Sequence, residues 1–401
     1  MTEGRRAFQA SRRALLLAGA AAALPLRAQP QQPFRLGLLT QGDDERYSPQ
    51  TLLRGFPDAP GGRSEPAAQI ALNDSLVTLQ MAGRNGAELV ALEAPAAADL
   101  PATLQQLLQQ RVQHVVLELP APGVAAVAAA ARGKDVMLFN AAAPEDALRA
   151  AQCATNLLHT LPSHAMQMDA IAQLLVARKW SKPLVLVGPT PGDRLLQAAW
   201  QRSAKRFAVR PVAERSFKLS NDPRERELGN VRLLTSERDY DAVVVLDAQG
   251  EFAQGVPYRT VLPRPVLGSN GLVAQAWSPF HERNGGPQLT RRFLRRANRW
   301  MTSYDWATWM AARCAAEVAG AYIKAGIAQQ VQALRQGAVA VDGYKGQRLT
   351  FRAWDGQLRQ PLLLAYGGGV ADVAPLEGFL HPRITLDTLG YDAPETGCKA
   401  S

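Results

Sequence analysis

Short apolar runs alternate with helical stretches along the chain from residue 34 onward. Short apolar runs separated by helices are typical of parallel strands that are buried on both faces of a sheet. The pattern therefore predicts a doubly wound α/β lobe in the first part of the chain. The predicted strands are residues 34–40, 87–92, 115–119 and 136–139, and the predicted helices are residues 65–82, 102–110 and 124–132.

A second series of the same kind begins after Asn140 and predicts a second lobe. Two such series followed by a late return segment indicate lobes with chain crossings between them, which we expect near residues 141–158, 270–276 and 340–346. The predicted helices of the second series are residues 163–176, 194–206 and 223–235, and its predicted strands are residues 183–188, 209–217, 242–246 and 265–268.

A long helix follows, and its first turn carries a capping signal. Thr302 stands at the predicted N-cap and Asp305 three residues later, which is the spacing of a capping box. Large residues then recur at intervals of four and trace one buried stripe along the helix. The stripe consists of Trp306, Met310, Cys314, Val318 and Tyr322.

Residues 342–365 read DGYKGQRLTFRAWDGQLRQPLLLA, in which a glycine turn leads into a short alternating strand. An Asp-Gly hairpin signal and a second apolar strand follow. Turn, strand, turn and strand in this order resemble the closing segment of the type I periplasmic solute-binding proteins of ABC transporters, of the leucine and branched-chain-binding kind. The tail, with EGFLH at 377–381 and LDTLGYD at 386–392, resembles a subfamily associated with PQQ-dependent alcohol dehydrogenase systems.

The resemblance implies an α/β fold with two doubly wound Rossmann-like lobes joined by a three-strand hinge. It implies capture of a small organic solute in the cleft between the lobes, for delivery to an ABC permease and its ATPase. A link to PQQ-dependent alcohol oxidation is also implied, with a quinone-dependent dehydrogenase as a further partner. The implied domains are lobe 1 at residues 29–150 with 276–340, lobe 2 at residues 151–275 with 341–390, and a C-terminal tail at residues 391–401.

Residues 1–28 are expected to form an export signal peptide. Arginines at positions 5, 6, 12 and 13 precede an apolar run at residues 14–26, which is shorter than the roughly 20 residues that span a membrane. Ser11-Arg12-Arg13 also resembles a twin-arginine signal, so the export route stays open between the twin-arginine and the general secretory pathway. Both routes lead to the periplasm, which excludes nucleic acid as a partner.

Charge and cysteine content add little that is specific. The formal net charge of +10 lies partly in the predicted signal peptide and does not by itself indicate nucleic-acid binding. The three cysteines, Cys153, Cys314 and Cys398, permit at most one disulfide, and their pairing stays open. Cys314 falls on the apolar stripe of the long helix, so we expect it to be a buried packing residue.

Ligands of open α/β sheets bind outside the carboxyl ends of the strands, so the loops that follow the strands carry the candidate contacts. In lobe 1 these are Tyr47, Ala121, Gly123 and Asn140. The resemblance implies Ser or Thr hydroxyls after the third and fourth strands, where they hold a ligand carboxylate. This chain has Ala121-Pro122-Gly123 and Asn140-Ala141-Ala142 there, so a smaller or less polar ligand than an amino acid is favoured.

In lobe 2 the candidate ligand contacts are His159, Thr160, Asp193, Asp247 and Glu251. The segment HTLPS at residues 159–163 resembles a family segment in which arginine stands where this chain has histidine. Such a contact would respond to pH, although a lone histidine is more often a core or surface residue. Asp247 follows an apolar strand, where it either holds a ligand ammonium or caps a helix.

Two further candidates lie near the second crossing. Asn270 belongs to a glycine-containing segment that suits a hinge, and Trp277 lies beside it. Both are expected to face the ligand, whereas Trp306 falls on the packed stripe and is expected in the core.

Other functional classes find less support. The sequence contains no GxSxG, HExxH, P-loop or GxGxxG motif, and its histidines and cysteines show no metal-ligand spacing, so we expect neither catalysis, nor a cofactor, nor a metal.

The alternative to a transport role is a periplasmic interaction or sensor protein on the same fold that no longer serves transport. The missing hydroxyls favour it, as does the basic helix at residues 291–299, which is either a solvated face or a docking patch for an acidic partner.

Overall fold

The computed structural model of the chain describes residues 32–398, so the predicted signal peptide at residues 1–28 lies outside the described residues. Among residues 32–398, no helix is both long and apolar enough to cross a membrane.

The described strands are β1 Phe34–Gln41, β2 Ala87–Ala94, β3 His114–Glu118, β4 Met137–Asn140, β5 Leu157–His159, β6 Pro183–Val187, β7 Ala213–Ser216, β8 Ala242–Leu246, β9 Val266–Gly268, β10 Val273–Gln275, β11 Val341–Asp342, β12 Arg348–Leu349, β13 Leu362–Tyr366 and β14 Gly369–Ala374.

The helices lie between these strands in the alternating order that the apolar runs predict. Short 3₁₀ turns occur in several of the loops. The described α-helices are α1 Pro49–Arg54, α2 Glu65–Met81, α3 Leu100–Gln109, α4 Ala121–Ala130, α5 His164–Ala177, α6 Pro191–Arg206, α7 Val231–Leu234, α8 Gly286–Ala297, α9 Ser303–Ala321 and α10 Ile327–Arg335.

The first sheet is parallel and has the strand order β2-β1-β3-β4-β5. Helices cover both of its faces. Leu36 and Val116 pack into one apolar core with helices α2 and α9, whereas Leu39 and Leu117 pack into a second core with helices α3 and α4. Burial on both faces accounts for the nearly continuous apolar sequence of these strands.

The second sheet is also parallel, with the order β7-β6-β8-β9. Val185 and Val244 face helices α5 and α6, and Leu186 and Val243 face a smaller core on the opposite side. A three-stranded antiparallel sheet, β10-β13-β14, packs against helix α5 beside it. The predicted α/β fold class with two doubly wound sheets is confirmed.

Up to strand β13 the chain passes three times between the cores of the two sheets. Leu161 packs in the first core and Met166 in the second. The chain returns to the first core between Ala274 and Ala276, and it leaves again between Leu358 and Leu362. The first and last passages lie later in the chain than the crossings predicted near residues 141–158 and 340–346. Strand β5 still pairs with β4 in the first sheet, and β11, β12 and the residues up to Leu358 still pack on the first core.

Two local details differ from the sequence-based expectation. Residues 223–235 do not form one helix: a 3₁₀ helix ends at Gly229, and Asn230 begins the short helix α7 by accepting hydrogen bonds from the N–H groups of Arg232 and Leu233. The Asp-Gly signal does turn the chain, so that Phe351 pairs with Leu358. Strand β13, however, forms its regular hairpin with β14 and not with the segment before the turn.

The long helix α9 begins as its sequence indicates. The Asp305 carboxylate accepts a hydrogen bond of 2.9 Å from the N–H of Thr302, which completes the predicted capping box. Cys314 is buried in the core, as expected. The structure also resolves the pairing that the sequence left open, because Cys153 and Cys398 form a disulfide.

Candidate functional site

A cavity of about 580 Å³ lies where the carboxyl ends of the two parallel sheets meet. The loops after β1 and β4 and the start of helix α9 form one wall. The loops after β8 and β9 and the amino-terminal halves of helices α5 and α6 form the other wall. This is the position at which open α/β sheets bind ligands.

One polar part of the cavity wall is built around the carboxyl group of Asp58, and we refer to it as the polar end. Its oxygens accept hydrogen bonds from the Ser303 hydroxyl at 2.5 Å and from the Gln167 amide at 2.6 Å. Both donors are neutral, and no cation of the described chain forms an ion pair with Asp58. Burial raises the pKa of Asp58 to about 7 because the charged carboxylate is desolvated there. Tyr304 lines the same end, and burial raises the pKa of its hydroxyl as well.

Apolar side chains line much of the rest of the cavity. They come from the segment before helix α2, from the crossing between β5 and α5, from helices α5 and α6, and from strand β10. A wall of this composition suits a compact apolar body and leaves few hydrogen-bonding partners for it. The larger apolar side chains on the wall are Phe56, Leu161, Met168, Ile171, Leu195, Leu196 and Val273.

The segment at residues 48–60, which contains helix α1, connects the two walls. We refer to it as the strap. Arg54 of the strap forms an ion pair of 3.1 Å with Glu251, which follows strand β8. The ring of Phe56 lies against Gly250, and Asp58 reaches Gln167 on helix α5. The strap thus follows the first strand of the first sheet along the chain. It makes three contacts with the other wall: two with the loop after β8 and one with helix α5.

Arg46 occupies the place in the first sheet where the resemblance implies ligand-binding hydroxyls. Its guanidinium donates a hydrogen bond of 2.5 Å to the carbonyl oxygen of Ala142 and is paired with the buried Asp44 at 2.7 Å. Arg46 is therefore a cation of the cavity wall whose charge is already compensated within the protein.

The predicted contacts of lobe 1 lie behind the cavity wall. The Tyr47 hydroxyl donates to the buried Glu118 at 2.9 Å. Ala121 packs at the start of helix α4, and Gly123 is buried in that helix, close to the Gln41 side chain. Asn140 is fully buried, and its side-chain oxygen accepts hydrogen bonds from the N–H groups of the loop that follows it. These four residues shape the loops and do not line the cavity.

His159 and Thr160 are buried at the first crossing. His159 lies 3.0 Å from the Asn140 amide, and Thr160 donates to the Asn140 carbonyl oxygen. Burial lowers the pKa of His159 well below its ordinary value, so its ring is neutral. Gln357 pairs with His159 along the backbone and donates to its carbonyl oxygen, which ties the first and third crossings together.

Of the predicted lobe 2 contacts, Asp247 lines the cavity. It also accepts hydrogen bonds from the N–H groups of Gln249 and Ala253, so it caps the turn after strand β8 as well. Burial raises the pKa of Asp247. Asp193 is buried beneath the wall, where it caps helix α6 and accepts a hydrogen bond of 2.6 Å from Ala248. Glu251 lies at the rim, paired with the strap.

The last two candidates also lie off the wall. Asn270 donates to the carbonyl oxygen of Ala253 and thereby fixes the loop after strand β9. Trp277 is buried in the first core, where its ring stacks on Trp306 at a centroid distance of 6.5 Å. Its position beside the crossing is as expected, but its ring points into the core of the protein.

The sequence did not single out four polar groups of the wall, namely Arg46, Asp58, Gln167 and Tyr304. Tyr304 and Gln167 follow the N-caps of helices α9 and α5, and that position is a signal that could have identified them. Asp58 lies in a segment without periodicity, and its sequence context carries no comparable signal. No cluster of metal-binding side chains occurs among residues 32–398.

Solved structures with this fold are numerous, although none of those described here exceeds 15% identity. A branched-chain amino acid ABC transporter periplasmic ligand-binding protein from Burkholderia xenovorans matches with a TM-score of 0.69 and 15% identity, over 91% of this chain and 99% of that chain. An amino acid ABC transporter substrate-binding protein from Pseudomonas fluorescens matches with a TM-score of 0.65 and 14% identity, over 92% and 99%.

A solute-binding protein of an ABC transporter from R. palustris, solved in complex with benzoate, matches with a TM-score of 0.60 and 12% identity, over 92% of this chain and 99% of that chain. No protein-family model matches the chain, and no curated protein sequence matches it significantly. At these identities the comparisons show that the chain has the fold of the type I periplasmic binding proteins.

Proposed function

We propose that this protein captures a small organic solute in the cavity between its two sheets and delivers it to an ABC permease and its ATPase in the periplasm. The observation that carries the proposal is the position of the cavity, at the carboxyl ends of both parallel sheets and between crossings that permit hinge motion. The proteins of similar fold described above, one of them solved in complex with benzoate, are ABC transporter components, which supports the same role here.

The proposed solute differs from an amino acid. The loops after β3 and β4 carry alanine in place of hydroxyl side chains, and Arg46 fills the space beside Ala142. Few unused hydrogen-bond donors therefore remain in the first sheet for an α-carboxylate. A largely apolar body fits the cavity better, because large apolar side chains line much of the wall and the arginines of the wall are already paired.

We further propose a link to PQQ-dependent alcohol oxidation, with a quinone-dependent dehydrogenase as a partner in the same system. The resemblance of the closing segment and of the tail to that subfamily is the support for this step. An alcohol, its aldehyde or its acid product would each be small enough for the cavity. Affinity purification of the protein from the periplasm tests the dehydrogenase link. We expect a quinone-dependent dehydrogenase to be recovered with the protein, and its absence would contradict the link.

A thermal-shift screen of the purified exported protein tests the capture of a solute. Alcohols, aldehydes, short carboxylic acids, amines, amino acids and quinone cofactors are the compounds to include. A ligand present at a hundred times its Kd stabilises the fold by about 2.7 kcal/mol, which is a readily measured increase in Tm. If no compound of the screen raises the Tm, solute capture is contradicted.

Two matched variants locate the binding. Leu195→Trp places a large ring on the cavity wall, where the leucine is 48% exposed, and we expect it to abolish the shift. Leu233→Trp makes the same change at a surface leucine that is 49% exposed and does not line the cavity, and we expect it to leave the shift intact. An equal response of both variants would place the bound compound outside the cavity.

A second candidate function is a periplasmic interaction or sensor role on the same fold. Helix α8 supports it: Arg292 is paired with Asp74, but Arg291, Arg295 and Arg296 remain exposed on the helix surface. Three exposed arginines on one helix suit an acidic protein partner. If the interaction role holds, replacement of all three arginines by glutamine should abolish recovery of the acidic partner, while ligand-induced increases in Tm persist. If helix α8 is only a solvated surface, the same replacement should change neither partner recovery nor the increase in Tm.

A further inference from the structure

The cavity wall carries more unpaired acidic groups than unpaired basic groups. Asp58 receives hydrogen bonds from two neutral donors only. Glu145 also lines the cavity, and its Oε2 atom is buried without a hydrogen-bond partner in the described part of the chain. Asp247 contributes a third carboxyl group, whose hydrogen bonds come from backbone N–H groups.

The arginines of the same wall already have carboxylate partners. Arg46 is paired with Asp44 at 2.7 Å, and Arg54 is paired with Glu251 at 3.1 Å. His164 lines the cavity as well, and it is half-buried, with one ring nitrogen 3.4 Å from the Gln167 amide oxygen. The arginines that line the cavity therefore contribute little uncompensated positive charge, whereas Asp58 and Glu145 form no ion pair in the described part of the chain.

We propose, on the basis of the solute-binding function proposed above, that the ligand is an organic cation: a primary ammonium group on a small apolar body. The ammonium group would lie at the polar end and donate hydrogen bonds to the Asp58 carboxylate and to the Tyr304 hydroxyl oxygen. Each carboxylate oxygen of Asp58 has a lone pair left for such a bond, because it accepts one hydrogen bond from residues 32–398. The apolar body would contact Phe56, Met168 and Ile171.

The same geometry disfavours an organic acid. A carboxylate at the polar end would meet Asp58 and Glu145, and the two arginines that line the cavity, Arg46 and Arg54, are already paired. Like charges at close range in a partly dehydrated cavity repel strongly. A neutral alcohol avoids this repulsion but leaves the Asp58 carboxylate without a counter-charge. The order of affinity that follows is amine, then alcohol, then acid.

Three compounds that share one carbon skeleton test this order: 2-phenylethylamine, 2-phenylethanol and phenylacetate. Isothermal titration calorimetry at pH 8 on the exported protein measures their Kd values. We expect the amine to bind at least tenfold more tightly than the alcohol and the acid. In Asp58→Asn the amine should lose at least tenfold in affinity, while the alcohol should change less than twofold, because the variant removes the charge and keeps the shape.

Glu88→Gln is the matched control, because it removes one negative charge from an exposed pair with Arg35, on strand β2 away from the cavity. It should leave the affinity for the amine unchanged. Tighter binding of the alcohol or the acid, or an equal loss for amine and alcohol in Asp58→Asn, overturns the cation proposal and leaves solute capture standing. Absence of binding by all three compounds also overturns it, and the broader thermal-shift screen then decides separately whether any solute is captured.

Discussion

The carboxyl group of Asp58 accepts a hydrogen bond of 2.6 Å from the side-chain amide of Gln167. Asp58 belongs to the strap that follows the first strand of the first sheet, whereas Gln167 lies on a helix that packs on the second sheet. One hydrogen bond thus links the two halves of the molecule across the candidate site. Any hinge motion that opens the cavity must break it, together with the other two contacts of the strap.

A substitution at Gly250 should loosen the strap. This glycine has a φ of +78°, and a methyl group added to it would lie 2.9 Å from the Phe56 ring. Gly250→Ala therefore combines left-handed backbone strain with a clash, and we expect the free energy of unfolding to fall by about 1–2 kcal/mol. Chemical denaturation measures the change, and an increase in the radius of gyration in solution would accompany release of the strap.

Gly255→Ala is the control for this prediction. Gly255 lies in the same region, and its backbone is outside the left-handed range. A methyl group there would meet only the flexible Arg259 side chain, at an ordinary 3.6 Å. We expect a change of less than 0.5 kcal/mol, as is typical of a surface position. An equal loss in both variants would show that the contact between Phe56 and Gly250 does not stabilise the fold.

Glu118 should make the protein less stable as the pH rises. It is fully buried and accepts hydrogen bonds of 2.9 Å from Tyr47 and Ser64, and its second carboxylate oxygen has no partner among the residues that the structure describes. Burial raises its pKa from 4.5 to about 7. The proton is therefore bound more tightly in the folded state, and its stabilising effect is complete below pH 4.5 and is lost as the pH rises through about 7.

The variant Glu118→Gln isolates this effect, because glutamine has the same shape and does not ionise. Between pH 5 and pH 8 the wild-type protein should lose about 3 kcal/mol relative to the variant, as a pKa difference of this size implies. Denaturation curves at several pH values measure the difference. The exposed Glu88→Gln variant should follow the wild-type protein, and parallel profiles for Glu118→Gln and wild type would contradict the assignment.

The disulfide should account for much of the stability of the C-terminal tail. Cys153 and Cys398 are 245 residues apart, and Thr396 beside the bridge donates to the carbonyl oxygen of Arg149. Removal of a native disulfide costs about 2–5 kcal/mol. We expect Cys398→Ser to lower the free energy of unfolding by an amount in this range. A reductant should lower the Tm of the wild-type protein and leave that of Cys398→Ser unchanged; a response of the variant to the reductant would contradict this.

The sequence predicts most of the framework because the buried strands are short and apolar on both faces. Residues 242–246 were predicted as a strand and form β8 with the same limits, since every side chain of this strand is buried. The helix predicted at residues 223–235 was wrong because Gly229 and Asn230 interrupt it. A capping residue inside a polar stretch outweighs helix propensity there.

The candidate site is less predictable than the framework. Sequence reasoning identifies which loop follows each strand, and Asp247, selected for this reason, lines the cavity. It does not indicate which side chain of a loop faces inward, so Asn140, Asp193 and Asn270 were selected although they hold the loops from behind. Asp58 could not be selected, because its partner Gln167 is distant in sequence and its own segment shows no periodicity.

The affinity for an ammonium ligand should increase with pH. Asp58 has a pKa of about 7 in the protein, raised by burial, and only its charged form attracts an ammonium group. A primary aliphatic amine stays protonated across this range. The charged fraction of Asp58 rises about tenfold between pH 6 and pH 8, so the affinity for 2-phenylethylamine should rise by about the same factor. The affinity for 2-phenylethanol should stay nearly constant.

Proton release provides an independent measurement of the same event. An ammonium group bound to Asp58 stabilises the carboxylate and lowers its pKa, so about half a proton should leave the protein per ligand at pH 7. Calorimetry in two buffers with different ionisation enthalpies measures that number. The other titratable groups around the cavity are Glu45, Arg46, Arg54, Glu145, His164, Asp247 and Tyr304.

Among these neighbours, Asp247 is one whose ionisation would produce a pH dependence of the same sign, because burial raises its pKa and its charged form also attracts an ammonium group. Asp247→Asn and Asp58→Asn therefore separate the two causes. If Asp58 is responsible, Asp247→Asn keeps the tenfold rise and the proton release, and Asp58→Asn abolishes both. His164→Gln, which removes the imidazole from the same wall, should also keep both. The opposite result for the two acidic residues would assign the pH dependence to Asp247 and remove Asp58 as the group that receives the ammonium ion.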